Sequence, residues 1–171
     1  MKKLPISFFA RPALTVAKEL IGTYITINRN GSVERYKITE TEAYIGPHDL
    51  ACHSSKGRTK RTEVMYQSPG TIYIYLIYGM YDMFNIVTDE TDYPAAVLIR
   101  GVEGINGPGK LTKYLGITRA MNGKTLGSVS GIWIEQDESV PSPKITRTPR
   151  VGVLYAGPIW AEKKYRFILK S

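Results

Sequence analysis

Residues Thr71 to Tyr78 read TIYIYLIY, and after Gly79-Met80-Tyr81-Asp82 the run Met83 to Thr88 reads MFNIVT. Both runs are dense in β-branched and aromatic residues and too short for an apolar helical stripe, so each predicts a strand. In the first run Ile72, Ile74 and Leu76 share one side of the pleat and Tyr73 and Tyr75 share the other. The aliphatic side suits a core. Read alone, the tyrosine side suits either a stacking wall for a planar ring or an ordinary half-buried sheet surface. The connection carries Tyr78, Met80 and Tyr81 where polar turn residues are usual, so this hairpin is expected either to present an apolar tip to a partner or to fold it back on the core.

Moving outward, Thr23 to Ile27 and Val33 to Ile45 predict two strands joined through Asn28-Arg29-Asn30-Gly31, and Ala95 to Val102 (AAVLIRGV) predicts another. Gly131 to Glu135 and Tyr165 to Leu169 read as late strands. Helical spacing of Leu14, Ala17, Leu20 and Ile21 predicts a helix over Phe9 to Ile21, with Pro12 in its first turn, and short helices are expected at Leu111 to Leu115 and Thr118 to Met121. The Pro-rich segment Val140 to Pro149 (VPSPKITRTP) reads as a surface loop. The expected class is α/β of the α+β kind. It is a single mixed domain over residues 1–171 with a curved, largely antiparallel sheet, short peripheral helices and a protruding β-hairpin.

The chain has 171 residues, 43% of them hydrophobic, which supports a core of one domain. No apolar run approaches the roughly 18 to 20 residues of a spanning helix, and Met1-Lys2-Lys3-Leu4-Pro5 leads into no secretory apolar core, so a cytoplasmic protein is expected. Cys52 is the sole cysteine, which excludes an internal disulfide and a multi-cysteine zinc site. Lysine and arginine outnumber acidic residues 23 to 15, for a net charge of +8, so polyanions are attracted, nucleic acid ahead of an anionic membrane.

Strand parity over Glu34 to Ile45 (ERYKITETEAYI) puts Tyr36, Ile38, Glu40, Glu42 and Tyr44 on one face. Carboxylates among such neighbours are either part of a pocket wall, where burial tunes a general base, or the polar side of a solvated edge strand. Asn85 and Arg100 each interrupt an apolar strand and need partners: Arg100 is expected to pair with Glu42 or Glu40, and Asn85 either reads a base edge or bonds within the core. His53 follows Cys52, but neighbours on an extended chain point apart, so a ligand hydrogen bond suits His53 better than a nucleophilic dyad. With His48 the only other histidine, no metal is expected. Lys56-Gly57-Arg58-Thr59-Lys60-Arg61 is either a phosphate grip or a solvated loop.

Taken in order, Glu40-Thr41-Glu42-Ala43-Tyr44, Gly46-Pro47, His53-Ser54, Gly57-Arg58-Thr59, Pro69-Gly70-Thr71, Tyr73 to Met80, Asn85, Leu98-Ile99-Arg100, Gly107 to Leu111 and Arg150-Val151-Gly152-Val153 resemble the alkyladenine (3-methyladenine) DNA glycosylase family of the mammalian AAG/MPG type. The match covers most of the chain. The resemblance implies a monofunctional base-excision-repair enzyme that removes 3-methyladenine, hypoxanthine or ethenoadenine from duplex DNA and leaves an abasic site. It would need no cofactor and act as a monomer, nucleoid-associated in a prokaryote. By position, Glu42 would deprotonate water and Arg100 would help hold it. Tyr44, His53 and Tyr75 would line and stack the flipped base, Tyr73 would support them, and Asn85 would stand at the pocket floor, excluding guanine. Tyr78 would intercalate. Lys56, Arg58, Lys60, Arg61, Met80 and Tyr81 would meet the DNA backbone. One departure concerns Gly101 to Asn106, shorter than the often basic segment of relatives, so the DNA footprint is where this chain leaves the pattern.

Two other readings compete: a non-catalytic nucleic-acid module that uses the tyrosine strand as a platform, and a hydrolase of free nucleosides. A passive binder has no need of Glu42 beside Arg100. A nucleoside hydrolase has no need of an apolar tip at Tyr78.

Overall fold

A computed structural model describes residues 1–171 and shows a mixed α/β architecture, with one open ten-stranded antiparallel sheet and three short helices. Its strands are β1 (Lys2–Lys3), β2 (Tyr24–Arg29), β3 (Ser32–Tyr44), β4 (Ile72–Ile77), β5 (Tyr81–Thr88), β6 (Ala95–Val102), β7 (Ile105–Asn106), β8 (Ile132–Gln136), β9 (Ile145–Thr148) and β10 (Arg166–Leu169). The main path runs β1-β8-β2-β3-β6-β5-β4, with β10 pairing both β3 and β9, and β7 pairing β6.

Side-chain parity divides this sheet into two working faces. Ile72 and Ile74 of β4, Phe84 and Ile86 of β5, and Val97 and Ile99 of β6 enter the main hydrophobic cluster with Val16, Ala17 and Leu20 of α1 (Ala13–Leu20) and Leu111 and Leu115 of α2 (Pro108–Leu115). Each such side chain, taken fully out of water, contributes about 1.5–3 kcal/mol. The intervening residues Tyr73, Val87 and Ala96 point the other way, into a smaller cluster with Cys52 and Met65. Helices α1 and α2 thus cover one face, and the other is left for the site.

The β2–β3 hairpin turns on Asn30 (φ 52°) and Gly31 (φ 89°), a pair of left-handed residues suited to Asn-Gly, so both strands run further toward the turn than expected. Strand β3 departs from simple alternation. Register shifts flank Glu40, so Ile38 faces the helix-covered core together with Thr41 and Ala43, while Glu40, Glu42 and Tyr44 face away. Tyr36 and Ile38 therefore do not share a face with the carboxylates as unbroken parity required; Tyr36 packs at the edge of the main core, its ring edge-on to Tyr114.

Three further expectations are corrected. The first helix starts at Ala13 rather than Phe9, because Pro12 ends the preceding extended turn; Asp89 Oδ2 accepts the Ala13 N–H at 3.2 Å. Thr118 to Met121 holds only one 3₁₀ turn, Arg119–Met121. The supposed loop Val140 to Pro149 contains β9, whose β-branched Ile145 and Thr146 pair with β10 between flanking prolines. A last short helix, α3 (Gly157–Ala161), also escaped the periodicity.

Candidate active site

A cleft of about 810 Å³ opens on the face away from the helix-backed core. Its walls come from Tyr44 of β3, His53 and Arg61 of the segment before β4, Tyr75 of β4, Arg100 of β6, and Val151 to Val153 with Tyr155 near the C-terminus. The β4–β5 hairpin and the start of α2 close the remaining side.

Glu42 lies directly behind this wall with no solvent exposure. Its Oε1 accepts the Val151 N–H at 2.9 Å and lies 3.3 Å from Arg100 Nε, while its Oε2 accepts the Tyr44 hydroxyl at 2.7 Å. Burial pushes the carboxyl pKa up, opposed by Arg100, the Val151 amide, the Tyr44 hydroxyl and Arg150. Arg100 also donates from Nε to Glu40 Oε1 at 3.1 Å, and Glu40 accepts in turn from Arg166 of β10. Arg100 therefore bridges both carboxylates rather than choosing one. The chemistry available is that of a proton acceptor held in position and out of bulk water.

The aromatic wall is graded in depth. Tyr75 packs 4.3 Å from His53 between ring centres, and the Arg61 guanidinium lies 5.5 Å from the Tyr75 ring centre. Tyr73 is buried, and its hydroxyl is 3.0 Å from His53 Nδ1. Two tyrosines side by side thus do not form one stacking wall, since only Tyr75 borders the cleft. Burial holds the Tyr73 hydroxyl protonated, its pKa up to about 12, which suits donation to His53. Burial, reinforced by Arg61 and Lys56, lowers the His53 pKa to about 4, so its ring is neutral at pH 7. The tautomer in which Nδ1 accepts from Tyr73 carries its proton on Nε2.

Asn85 is buried behind the wall. Its Nδ2 donates to the carbonyls of Tyr73 and Met83, both at 3.2 Å, and it borders a small void shared with Tyr44, His53 and Tyr75. Lys56 and Arg61 line the cleft, and Lys60 is exposed outside its lining. Arg58 is turned elsewhere, paired through two nitrogens to Glu63 at 2.8 and 2.7 Å and to Asp92 at 3.4 Å.

At the hairpin tip Tyr78 is 85% exposed and adopts φ 52°, followed by Gly79 at φ 68°. A left-handed aromatic residue is strained by about 1–2 kcal/mol, and the strain is tolerated here in a turn that thrusts the ring outward. Met80 and Tyr81 are also exposed. The Tyr81 ring rests on Gly109, where an added Cβ would lie 2.6 Å from Cδ1, so the start of α2 must be glycine there to support the hairpin.

Sequence reasoning missed the groups that tie the C-terminal segment to the site. Asp49 and Arg150 form a fully buried pair, at 2.6 and 2.9 Å, and Arg150 also donates to the Ala43 and Trp160 carbonyls at 2.9 and 3.3 Å. Its guanidinium lies between the Tyr44 and Tyr165 rings, 4.9 and 5.1 Å from their centres. The pair anchors the chain next to Val151, whose amide grips Glu42. Only membership of the Arg150-Val151-Gly152-Val153 block marked this segment, because a backbone amide leaves no trace in residue type.

Fold and cleft together place a buried acid behind an aromatic pocket. The family model for methylpurine-DNA glycosylase (MPG) matches residues 7–107 and 102–171. A protein of Myxococcus xanthus is 48% identical, with all of this chain and 92% of that protein aligned. One of Legionella pneumophila (strain Corby) is 44% identical over all of this chain and 96% of its own length, and one of Methanocella arvoryzae 42% over all of this chain and 94%. Each of the three is named "Putative 3-methyladenine DNA glycosylase". The chain belongs to the methylpurine-DNA glycosylase family. It is a DNA-repair glycosylase, a hydrolase of N-glycosyl bonds whose substrate is DNA. None of its helices is long and apolar enough to cross a membrane.

Proposed function

We propose that this chain, as a single domain over residues 1–171 and a monomer, flips alkylated or deaminated purines out of duplex DNA and hydrolyses the glycosidic bond with water activated by Glu42. The substrates would be of the 3-methyladenine, hypoxanthine and ethenoadenine class, and the product an abasic site. The observation that carries this reading is the placement of Glu42: buried, raised in pKa, held by two hydrogen-bond donors and an ion pair with Arg100, and set behind side chains that border the aromatic cleft.

In this mechanism the base leaves the stack at a cost of a few kcal/mol, least for damaged or mispaired bases. It lodges between Tyr75 and His53 on one side and Tyr44 on the other, where stacking returns about 1–3 kcal/mol. His53 Nε2–H meets the edge of the base, and Asn85 stands at the floor to disfavour guanine. Tyr78 fills the gap left in the duplex. Lys56, Lys60 and Arg61 face the phosphates, with Met80 and Tyr81 against the strand beside the tip, and Arg58 joins them once released from Glu63. Water approaches C1′ from beside Arg100. Movement of the Tyr44 hydroxyl off Oε2 frees that oxygen to take the proton as the C1′–N bond breaks and its electron pair leaves with the purine. A cationic methylpurine needs no further activation, whereas a neutral base leaves only with hydrogen bonding or protonation.

The test is a duplex oligonucleotide with one hypoxanthine, incubated with the protein in EDTA and then heated in alkali. Cleavage at the lesion is expected, and its absence here and with 3-methyladenine DNA refutes the reading. Glu42→Gln should keep lesion binding and lose excision by on the order of 100-fold or more; full turnover would remove Glu42 from the mechanism.

A further inference from the structure

The two most exposed large hydrophobic side chains of the chain are Leu154, at 88%, and Tyr78, at 85%. Both belong to segments that border the same cleft. Tyr78 borders it on the hairpin, and Leu154 lies between Val153 and Tyr155, which border it from the C-terminal segment. Leu154 is carried on an anchored turn. It opens a single 3₁₀ turn, Leu154–Ala156, set between Gly152 (φ 72°) and Gly157 (φ 82°). Val153 and Ala156 beneath it are buried and joined by the Ala156 N–H to Val153 carbonyl bond at 3.0 Å. The Tyr155 hydroxyl donates to the Ala51 carbonyl at 2.8 Å.

A fixed turn with an anchored base has no need to expose a leucine, which loses about 1.5–3 kcal/mol of burial by doing so. Ile159, 71% exposed one turn further on, and Val151, 46% exposed, extend the apolar surface on the same segment. Lys163 and Lys164 come a few residues later, after Glu162, and the net charge of +8 favours a polyanion over a second copy of this basic chain.

We propose that Leu154 is a second apolar wedge, carried on the Gly152–Gly157 turn, which contacts duplex DNA on the side of the cleft away from Tyr78. This rests on the reading that the cleft receives a flipped nucleotide. With a wedge at each lip, the duplex is gripped on both sides of the gap and the neighbouring step is unstacked. The segment joins two roles: the Val151 amide, just before the turn, holds Glu42, and the turn's exposed leucine meets the DNA.

The experiment measures binding to a duplex carrying an abasic analogue, so that no excision is needed, with 2-aminopurine in the step beside the analogue. Leu154→Ser should weaken binding about tenfold and lower the 2-aminopurine signal, while Leu154→Met restores both. Excision of hypoxanthine from a single strand should match wild type. Binding and fluorescence within twofold of wild type in Leu154→Ser overturn the proposal. So does a concentration-dependent dimer in sedimentation that Leu154→Ser dissolves with DNA binding unchanged. Wild type that binds the abasic duplex with full dependence on Leu154 yet excises no damaged purine supports the wedge and refutes the catalytic reading instead.

Discussion

Replacing Asp49 by alanine leaves the Arg150 guanidinium buried without its direct ion-pair partner. Neither side chain reaches solvent, and each carboxylate oxygen takes a different Arg150 nitrogen, at 2.6 and 2.9 Å. The same carboxylate accepts the Ile45 N–H at 3.2 Å and the Ala51 N–H at 3.0 Å. Breaking a buried pair from one side costs about 3–5 kcal/mol, and a stranded amide about 1–3 kcal/mol before relaxation. On a domain stable by roughly 5–15 kcal/mol, a loss of about 4 kcal/mol moves the urea midpoint down by about 2 M if the slope is near 2 kcal/mol/M. Urea unfolding followed by tryptophan fluorescence measures this directly, because Trp160 lies next to the pair and its carbonyl accepts from Arg150. The double variant Asp49→Leu with Arg150→Met should regain much of the loss, since no charge then stays buried. It should nevertheless excise slowly, because Arg150 no longer fixes the chain at Val151. A single-variant loss below about 1 kcal/mol would refute the argument that this pair anchors the C-terminal segment.

The remaining expectations concern the tip and the titrating groups. Tyr78→Ser should leave the unfolding free energy within about 0.5 kcal/mol of wild type, the ring being exposed, while slowing excision from duplex more than from single-stranded DNA; an equal slowing on both would show the ring does not intercalate. Because burial raises the Glu42 pKa, the acid is protonated and idle below it, so excision should climb as pH rises through a value above the usual 4.5 and then level; a limb at or below 4.5 argues for another base. The linked stability has the opposite slope, present below the unfolded pKa and lost as pH climbs through the raised folded one. His53 has its pKa lowered to about 4, so its contribution is present above 6.5 and lost as pH falls toward 4. Wild type should therefore lose more stability between pH 7 and pH 4 than His53→Gln, and an equal loss would place His53 in a more solvated setting.

How much could be read from residues alone depended on whether the deciding interaction lay along the chain or across it. Strands β4, β5 and β6 were legible because parity and β-branching are local, and Ala95–Val102 matches its strand end to end. The Tyr78 tip was legible because an aromatic residue in a tight turn is anomalous wherever the strands go. Strand β9 was hidden because its pairing with β10 overrides the prolines around it. The burial of Tyr73 was hidden as well, since parity assigns a face but not a depth, and here Met65, Cys52 and Val87 cover that face beside Tyr73. The Asp49–Arg150 pair spans 101 positions and carried no local sign at all.

The carboxylate pair shows how an irregularity can make a site. Ile38 pairs with Val102 and Thr41 with Ile99, and all four side chains turn away from the cleft. The paired positions on each strand are offset by three, not two, so β3 and β6 break alternation at the same level. The break gathers Glu40 and Arg100 between the two regular stretches, and the strand resumes with Glu42 and Tyr44 on the cleft side. Gly101 sits opposite Glu40, where a Cβ would come 3.1 Å from Thr39 Oγ1 and 3.4 Å from Glu40 Cβ, so the two strands pack tightly here around a residue without a side chain. Unbroken alternation through this level would place Ile38 on the same side as Glu40 and Glu42 and take it out of the core. The matched bulge keeps Ile38 in the core and still brings one guanidinium within 3.1 and 3.3 Å of both acids. Arg100 opposes the full effect of burial on Glu42, so the acid can ionise without leaving the wall, while Arg166 shares the charge of Glu40 and leaves Arg100 free to turn toward Glu42.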